Sequence, residues 1–325
     1  MRQAPLISVV VPVFNEAETL EELHARVSRA LAGFEHELVL VDDGSRDGSW
    51  EVMQRLAHTD ERVRLVRLSR NFGHQVAISA GLDASRGEAV VTMDGDLQDP
   101  PELIPELVAR WRDGHDVVYA VRSERRGESR FKLLTAAVFY RIMQRIGGID
   151  IPADTGDFRL LSRRAVHALR AMPERARYLR GMTSWIGFRQ TGVPYVRDAR
   201  FAGTTKYPLR KMLRFAADGV LSFSTAPIRL VGAAGMLLVV FCAGYLAYTA
   251  YIALFTDAAV RGWASMIAIV LLLGGMQLIS LAIIGHYVAR IFDEVKRRPL
   301  YVVSELVEAG VEGDAPLLPQ LRDER

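Results

Sequence analysis

Residues 88–102, EAVVTMDGDLQDPPE, decide how this chain is read. Positions 89–93 have the length and β-branched content of a buried strand. The run breaks off at Asp94, and Asp96 and Asp99 follow, with Gly95 between the first two and Pro100-Pro101 closing the segment. Carboxylates this close in sequence repel one another unless a cation sits among them. Oxygen donors at that density suit a hard divalent ion, Mg²⁺ or Mn²⁺, that also holds a phosphate. The carboxyl end of a strand is where open α/β sheets bind their ligands. The competing reading is an acidic turn ahead of a helix after Pro101, with Asp99 as its N-cap.

Working outward, the flanking sequence alternates between the two periodicities. Ile7–Val13, 37–41, Val63–Leu68 and 116–121 read as strands, and 17–31, 49–57, 75–83 and 102–111 as helices. In the first helix Leu20, Leu23, Val27 and Leu31 share one face. This βαβα rhythm predicts a mostly parallel sheet with helices on both faces. The strand ends are polar: the first finishes in Pro12, Phe14, Asn15 and Glu16, the second in Asp42, Asp43, Gly44 and Ser45. Together with the aspartate cluster they imply one shared crevice, and a nucleotide is its natural occupant. Alternatively, residues 42–45 are a plain turn and cap. No G-x-G-x-x-G follows the first strand and no G-x-x-x-x-G-K-[ST] occurs, which argues against a dinucleotide-binding enzyme and a P-loop NTPase.

Composition narrows the class. The chain has 325 residues and a formal charge of +3, too small an excess to argue nucleic-acid binding. A single cysteine, Cys242, excludes an internal disulfide. The seven histidines include no His-x-x-x-His pair, so a zinc site is not expected. The apolar start, residues 6–14, is too short to span a membrane and lacks a cleavage pattern.

PVFNE (12–16), VDDGS (41–45), NFGH with the following Ala80-Gly81, and MDGDLQDPPE (93–102) together resemble glycosyltransferase family 2. The likeness covers residues 6–220. Later features are similar to one branch, the polyprenyl-phosphate glycosyltransferases. The resemblance implies a GT-A fold over residues 1–206 that binds a nucleotide-sugar and a divalent metal. Pro12, Phe14, Glu16 and Asp42 would hold the nucleoside, joined by Asp43. Asp94 would face the sugar and ribose, and Asp96 with Gln98 would hold the metal on the diphosphate, with Asp94 beside them.

Residues 122–132, RSERRGESRFK, place a dense run of cations directly after the next strand. Taken alone, such a run reads as a solvated loop. In the resembling family this loop binds the acceptor phosphate, which assigns Arg122, Arg130 and Lys132 that role; Arg suits bidentate phosphate contacts. Asp157, in DTGDFRLLS, is placed by the family pattern beside the reacting centre. The structural alternative pairs it with Arg159 or Arg163. Residues 200–207, RFAGTTKY, resemble the segment that closes over the diphosphate, with Lys206 on the donor and Arg200 on the acceptor phosphate.

The last third changes character. Residues 207–226 read as an amphipathic basic helix suited to an anionic membrane surface or, equally by periodicity, to a protein core. Two uncharged segments, about 229–256 and 262–289, each exceed the roughly 20 residues needed to cross a bilayer. Their short connection makes a transmembrane hairpin. Basic residues at its open end place the termini and the catalytic domain in the cytoplasm, and the tail 291–325 is expected to end in disorder.

The implied activity is inverting transfer of a sugar, from a UDP-sugar such as UDP-glucose, to undecaprenyl or another polyprenyl phosphate at the cytoplasmic membrane. Two rivals remain: a processive polysaccharide synthase, and a non-catalytic nucleotide-sugar-binding membrane module. A homo-oligomer is left open.

Overall fold

The computed structural model describes residues 5–122, 155–196, 226–255, 263–308 and 311–313. Two units are distinguished. The first holds most of the chain up to Leu209 and resumes at Arg298; the second holds Arg210–Arg297.

In the first unit, β1 (Ile7–Val13), β2 (His36–Asp42), β3 (Val63–Leu68) and β4 (Ala89–Thr92) run parallel, in the order β4-β1-β2-β3. All residues of β1 and β2 are buried, which is why both read as near-continuous apolar runs. The helices α1 (Leu20–Ala30) and α2 (Ser49–Thr59) close one face, where Leu20, Leu23, Val27, Trp50 and Met53 join Val9, Val11, Leu38, Leu40 and Leu65. On the other face lies α3 (His74–Ala84), seated close against β1 and β2. Gly81 sets that distance: a Cβ there would stand 2.2 Å from Val10 Cγ1 and 3.0 Å from Val41 Cγ2. A short 3₁₀ turn, Pro101–Leu103, leads into α4 (Ile104–Arg112), followed by β5 (Val117–Arg122).

The sheet is more mixed than the βαβα rhythm predicts. After β5, β6 (Thr155–Ser162) enters antiparallel between β4 and β5. Next come α5 (Arg163–Arg170), α6 (Leu179–Trp185) and β7 (Gln190–Tyr195), which lies parallel to β5. On the opposite edge β8 (Val303–Glu308) pairs antiparallel with β3, and β9 (Val311–Gly313) with β8. Among the described residues this gives one nine-stranded sheet. β8 and β9 also amend the expected tail, because part of it is ordered strand.

The second unit contributes α7 (Ala226–Phe255) and α8 (Trp263–Val295), of 30 and 33 residues. Large apolar side chains such as Leu237, Phe241, Leu278 and Ile284 stand exposed along them. Among the described residues Leu272–Val295 is long and apolar enough to cross a membrane, and Val231–Tyr245 is a shorter apolar stretch. The expected two-span hairpin is therefore matched by two helices but by one full-length apolar window. The expected interfacial helix at 207–226 lies outside the described residues.

Candidate active site

The polar strand ends converge as anticipated. A cavity of about 310 Å³ opens where β1, β2 and β4 finish, and its lining includes Pro12, Phe14, Glu16, Asp43, Asp94 and Asp96. Its walls are tied together by side chains. Asn15 N–H donates to Ser45 Oγ (3.0 Å) and Glu16 N–H to Ser49 Oγ (2.9 Å), so the loop after β1 is pinned to the loop after β2. Asn15 itself takes a left-handed backbone (φ 56°), which asparagine tolerates. Phe14 is 47% exposed, an aromatic face available at the rim.

The two β2 aspartates do different things. Asp43 lines the cavity and accepts from Phe72 N–H (2.7 Å) and Gly73 N–H (2.9 Å), holding the turn into α3. Burial raises its pKa despite those two donors. Asp42 is fully buried; its Oδ1 accepts from Ser45 N–H (2.9 Å), and Arg67 Nε lies 3.5 Å from Oδ2. Gly44 allows the turn between the loops: its φ is +75°, and a Cβ would meet Asn71 N at 2.8 Å.

At the end of β4 the three aspartates also separate. Asp99 accepts a 2.6 Å hydrogen bond from Tyr195 on β7, a structural tie rather than an N-cap. Asp96 is buried and accepts from the backbone N–H of Gln98 (3.2 Å). Asp94 has a buried Oδ1 without a hydrogen bond. Burial, followed by repulsion from Asp99, Asp157 and Asp96, pushes its pKa up to about 6 even though His74 works the other way. A carboxylate in that condition calls for a cation, and so the donor set fits a divalent metal. No group of three or more acidic, His or Cys side chains converges as a metal cage among the described residues.

Asp157, near the start of β6, faces the same region. Arg180 on α6 grips it with Nε to Oδ1 (3.0 Å) and Nη2 to Oδ2 (3.1 Å). Gln75 Nε2 donates to Oδ2 (3.0 Å), and its Oε1 accepts from Leu179 N–H (3.0 Å). His74 Nε2 stands 3.4 Å from Asp157 Oδ2 and 3.3 Å from Asp94 Oδ1, bridging the two carboxylates. Burial alone would raise the Asp157 pKa, but Arg180 and His74 hold it well below the usual range. Asp157 is thus a fixed anion and a poor proton acceptor. The structural alternative is met in part: Arg159 lies 4.0 Å away, whereas Arg163 turns to the carbonyls of Ser85 and Gly87.

Arg122 ends β5 with its Nε 3.5 Å from Tyr195 Oη, and a Cβ on Gly156 would stand 3.2 Å from its Nη2. It therefore lies beside Gly156, the residue before Asp157. Arg130, Lys132, Arg200 and Lys206 lie outside the described residues. His74 was read only as part of NFGH, without a role, and Gln75 and Arg180 were not singled out by the sequence. His74 and Gln75 could have been found as the end of a further strand-to-helix turn. Arg180 is 23 positions from its partner and leaves no local pattern.

The pattern of Glycosyl transferase family 2 matches residues 8–170. The chain belongs to that family. It is 47% identical to the uncharacterized glycosyltransferase YkcC of Bacillus subtilis (strain 168), over 92% of this chain and 93% of that one. It is also 39% identical to the bactoprenol glucosyl transferase of Shigella phage SfII, covering 92% and 97%. With the prophage bactoprenol glucosyl transferase homolog of Escherichia coli (strain K12) the identity is 38%, covering 92% and 99%. This family 2 member is thus a glycosyltransferase, similar along most of its length to proteins named bactoprenol glucosyl transferase.

Proposed function

We propose that this glycosyltransferase moves a sugar from a UDP-sugar, UDP-glucose or a relative, to a polyprenyl phosphate at the cytoplasmic face of a membrane. The observation that carries the reading is the cavity at the strand ends, with the under-neutralised Asp94 at its floor and an aromatic rim at Phe14. Similarity to bactoprenol glucosyl transferases supports the acceptor.

In this reading Pro12, Phe14, Glu16, Asp42 and Asp43 receive the nucleoside, and Lys206 assists on the diphosphate. Asp96, Gln98 and Asp94 would hold Mg²⁺ or Mn²⁺, which when bound neutralises charge on the departing diphosphate. The acceptor phosphate is already anionic and needs no base, consistent with an Asp157 that is itself fully engaged. One of its oxygens bonds to the anomeric carbon as the bond from that carbon to the diphosphate oxygen breaks. The electron pair leaves with the nucleoside diphosphate, and the displacement inverts the sugar. Arg122, Arg130, Lys132 and Arg200 orient the incoming phosphate, and the ionised Asp157 faces positive charge developing on the sugar.

The two long helices are proposed to cross the bilayer as a hairpin. At 1.5 Å per residue each is longer than the roughly 30 Å hydrocarbon core. Connectivity supports an even number of crossings, because the chain leaves the sheet after β7 and rejoins it at β8. Membranes carrying the protein, given radiolabelled nucleotide-sugars and undecaprenyl phosphate, should move label into the lipid phase from a UDP-sugar. Absence of lipid-linked label with every donor would overturn the reading.

A further inference from the structure

Three charged residues form a row across neighbouring strands. Asp42 on β2 is in register with Arg67 on β3, and Arg67 with Glu305 on β8. Registered neighbours share a face of the sheet, so their side chains meet. Arg67 Nε lies 3.5 Å from Asp42 Oδ2, and its Nη1 lies 3.6 Å from Glu305 Oε2. Trp50 of α2 supports the same guanidinium, 4.8 Å from its ring centroid, in a cation–π contact. β8 is also fastened at this position, because Ser304 Oγ donates to the Arg67 carbonyl (3.1 Å).

Asp42 is the fully buried member of the row, and its Oδ2 makes no hydrogen bond among the described residues. A carboxylate so placed needs opposite charge close by, and Arg67 supplies it. The other oxygen, Oδ1, accepts from Ser45 N–H, and Ser45 Oγ accepts from Asn15 N–H beside Phe14. The row therefore ends on the two loops that frame the cavity. Arg122 on β5 and Asp157 on β6 lie away from it, beyond β1 and β4 in the strand order.

We propose that Arg67 and Glu305 are positioning residues for the donor subsite. Glu305 orients Arg67, Arg67 holds Asp42, and Asp42 sets the loops that receive the nucleoside diphosphate. The proposal rests on the reading of this cavity as the nucleotide-sugar site. Neither residue touches substrate; each supports groups nearer to it, as outer residues of a preorganised site do. Affinity for the nucleotide thus depends on a strand that follows both long helices in sequence.

The test is calorimetric titration of UDP in Mg²⁺ into the solubilised full chain, with transfer kinetics in which both substrates are varied. Arg67→Ala should weaken UDP binding about tenfold and raise the donor KM in step, leaving the acceptor KM within about twofold. Arg67→Lys, which keeps the charge, should recover part of the loss. The Arg67 and Glu305 side chains are 37% and 40% exposed, so Glu305→Gln should cost only about threefold in UDP affinity. Salt at about 0.5 M should shrink that difference. In the Arg67→Ala background Glu305→Gln should add nothing, because it acts through the arginine. Should Arg67→Ala fail to fold, Glu305→Gln and its salt dependence decide. Unchanged UDP affinity in the variants would overturn the proposal, as would additive losses in the double variant. So would an equal rise in both KM values, the mark of a general structural fault. A wild-type enzyme that does not bind UDP would instead defeat the nucleotide reading, so the two failures are distinct.

Discussion

Tyr301 donates a 2.7 Å hydrogen bond to Asp83 Oδ2 across 218 positions of sequence. Tyr301 is 4% exposed, and Arg170 Nε approaches the other Asp83 oxygen at 3.1 Å. The contact fastens the segment that returns from α8 onto the end of α3. Tyr301→Phe removes the donor to a carboxylate that water still reaches, an expected loss of about 0.5–1.5 kcal/mol. Denaturant unfolding of the solubilised protein measures it, and a loss under about 0.3 kcal/mol would deny the contact any structural weight.

Gly81 offers a sharper packing test. Because its missing Cβ would overlap Val10 Cγ1, Gly81→Ala should destabilise by about 1–3 kcal/mol through overpacking. Adding Val10→Ala should recover part of that loss, since the two changes share one volume. Additive losses in the double variant would mean that α3 is not seated by this contact.

Metal dependence follows from the donor set at the end of β4. EDTA should abolish sugar transfer, and Mg²⁺ or Mn²⁺ should restore it. Asp96→Asn should lose most activity with an unchanged melting temperature. Full turnover in EDTA would remove the metal from the reading.

Acid sensitivity has a local source at Asp60. Arg62 binds it through Nε (2.8 Å) and Nη2 (2.7 Å), and His24 Nε2 lies 2.8 Å away. The Arg62 contacts hold its pKa far below the ordinary value despite partial burial. A depressed folded-state pKa gives stability that is fully present above the unfolded value, about 3.9, and is lost as pH falls toward the folded one. Asp60→Asn should therefore melt lower than wild type at pH 7, and the gap should shrink below about pH 4. A gap independent of pH would show that charge is not what Asp60 contributes.

Topology is testable with reporters. A fusion after Arg298 should report the cytoplasm, where the basic Lys296, Arg297 and Arg298 favour retention. An insertion near Asp257 should report the other side. Both on one side would mean that the two helices do not cross as a pair.

The parallel half of the sheet was legible because β1 to β4 are apolar runs broken by turn residues, a pattern local in sequence. The convergence of their polar ends follows from that pattern, whereas the order β4-β1-β2-β3 does not. The antiparallel place of β6 between β4 and β5 is a non-local pairing without a sequence mark. β8 was missed for the same reason: Val303–Glu308 carries charge at Glu305 and Glu308 and reads as tail until an edge is there to receive it. Glu308 is explained only by its partners, since its carboxylate binds Arg64 and Arg86 from distant elements. At the site, Asp94, Asp96, Asp43 and Phe14 were found by their strand ends, whereas the grip of Arg180 on Asp157 depends on the packing of α6.

The strand β8 also bears on the order of events at the ribosome. β3 presents an unpaired edge from the moment it forms, and the residues that cover it are made only after both long helices. Bare edges recruit foreign strands, and chains fold from the amino end as they emerge. Synthesis of α7 and α8 therefore comes before the sheet can be closed. A chain stalled after α8 would carry β1 to β4 on an unsealed sheet, prone to pair with its neighbours.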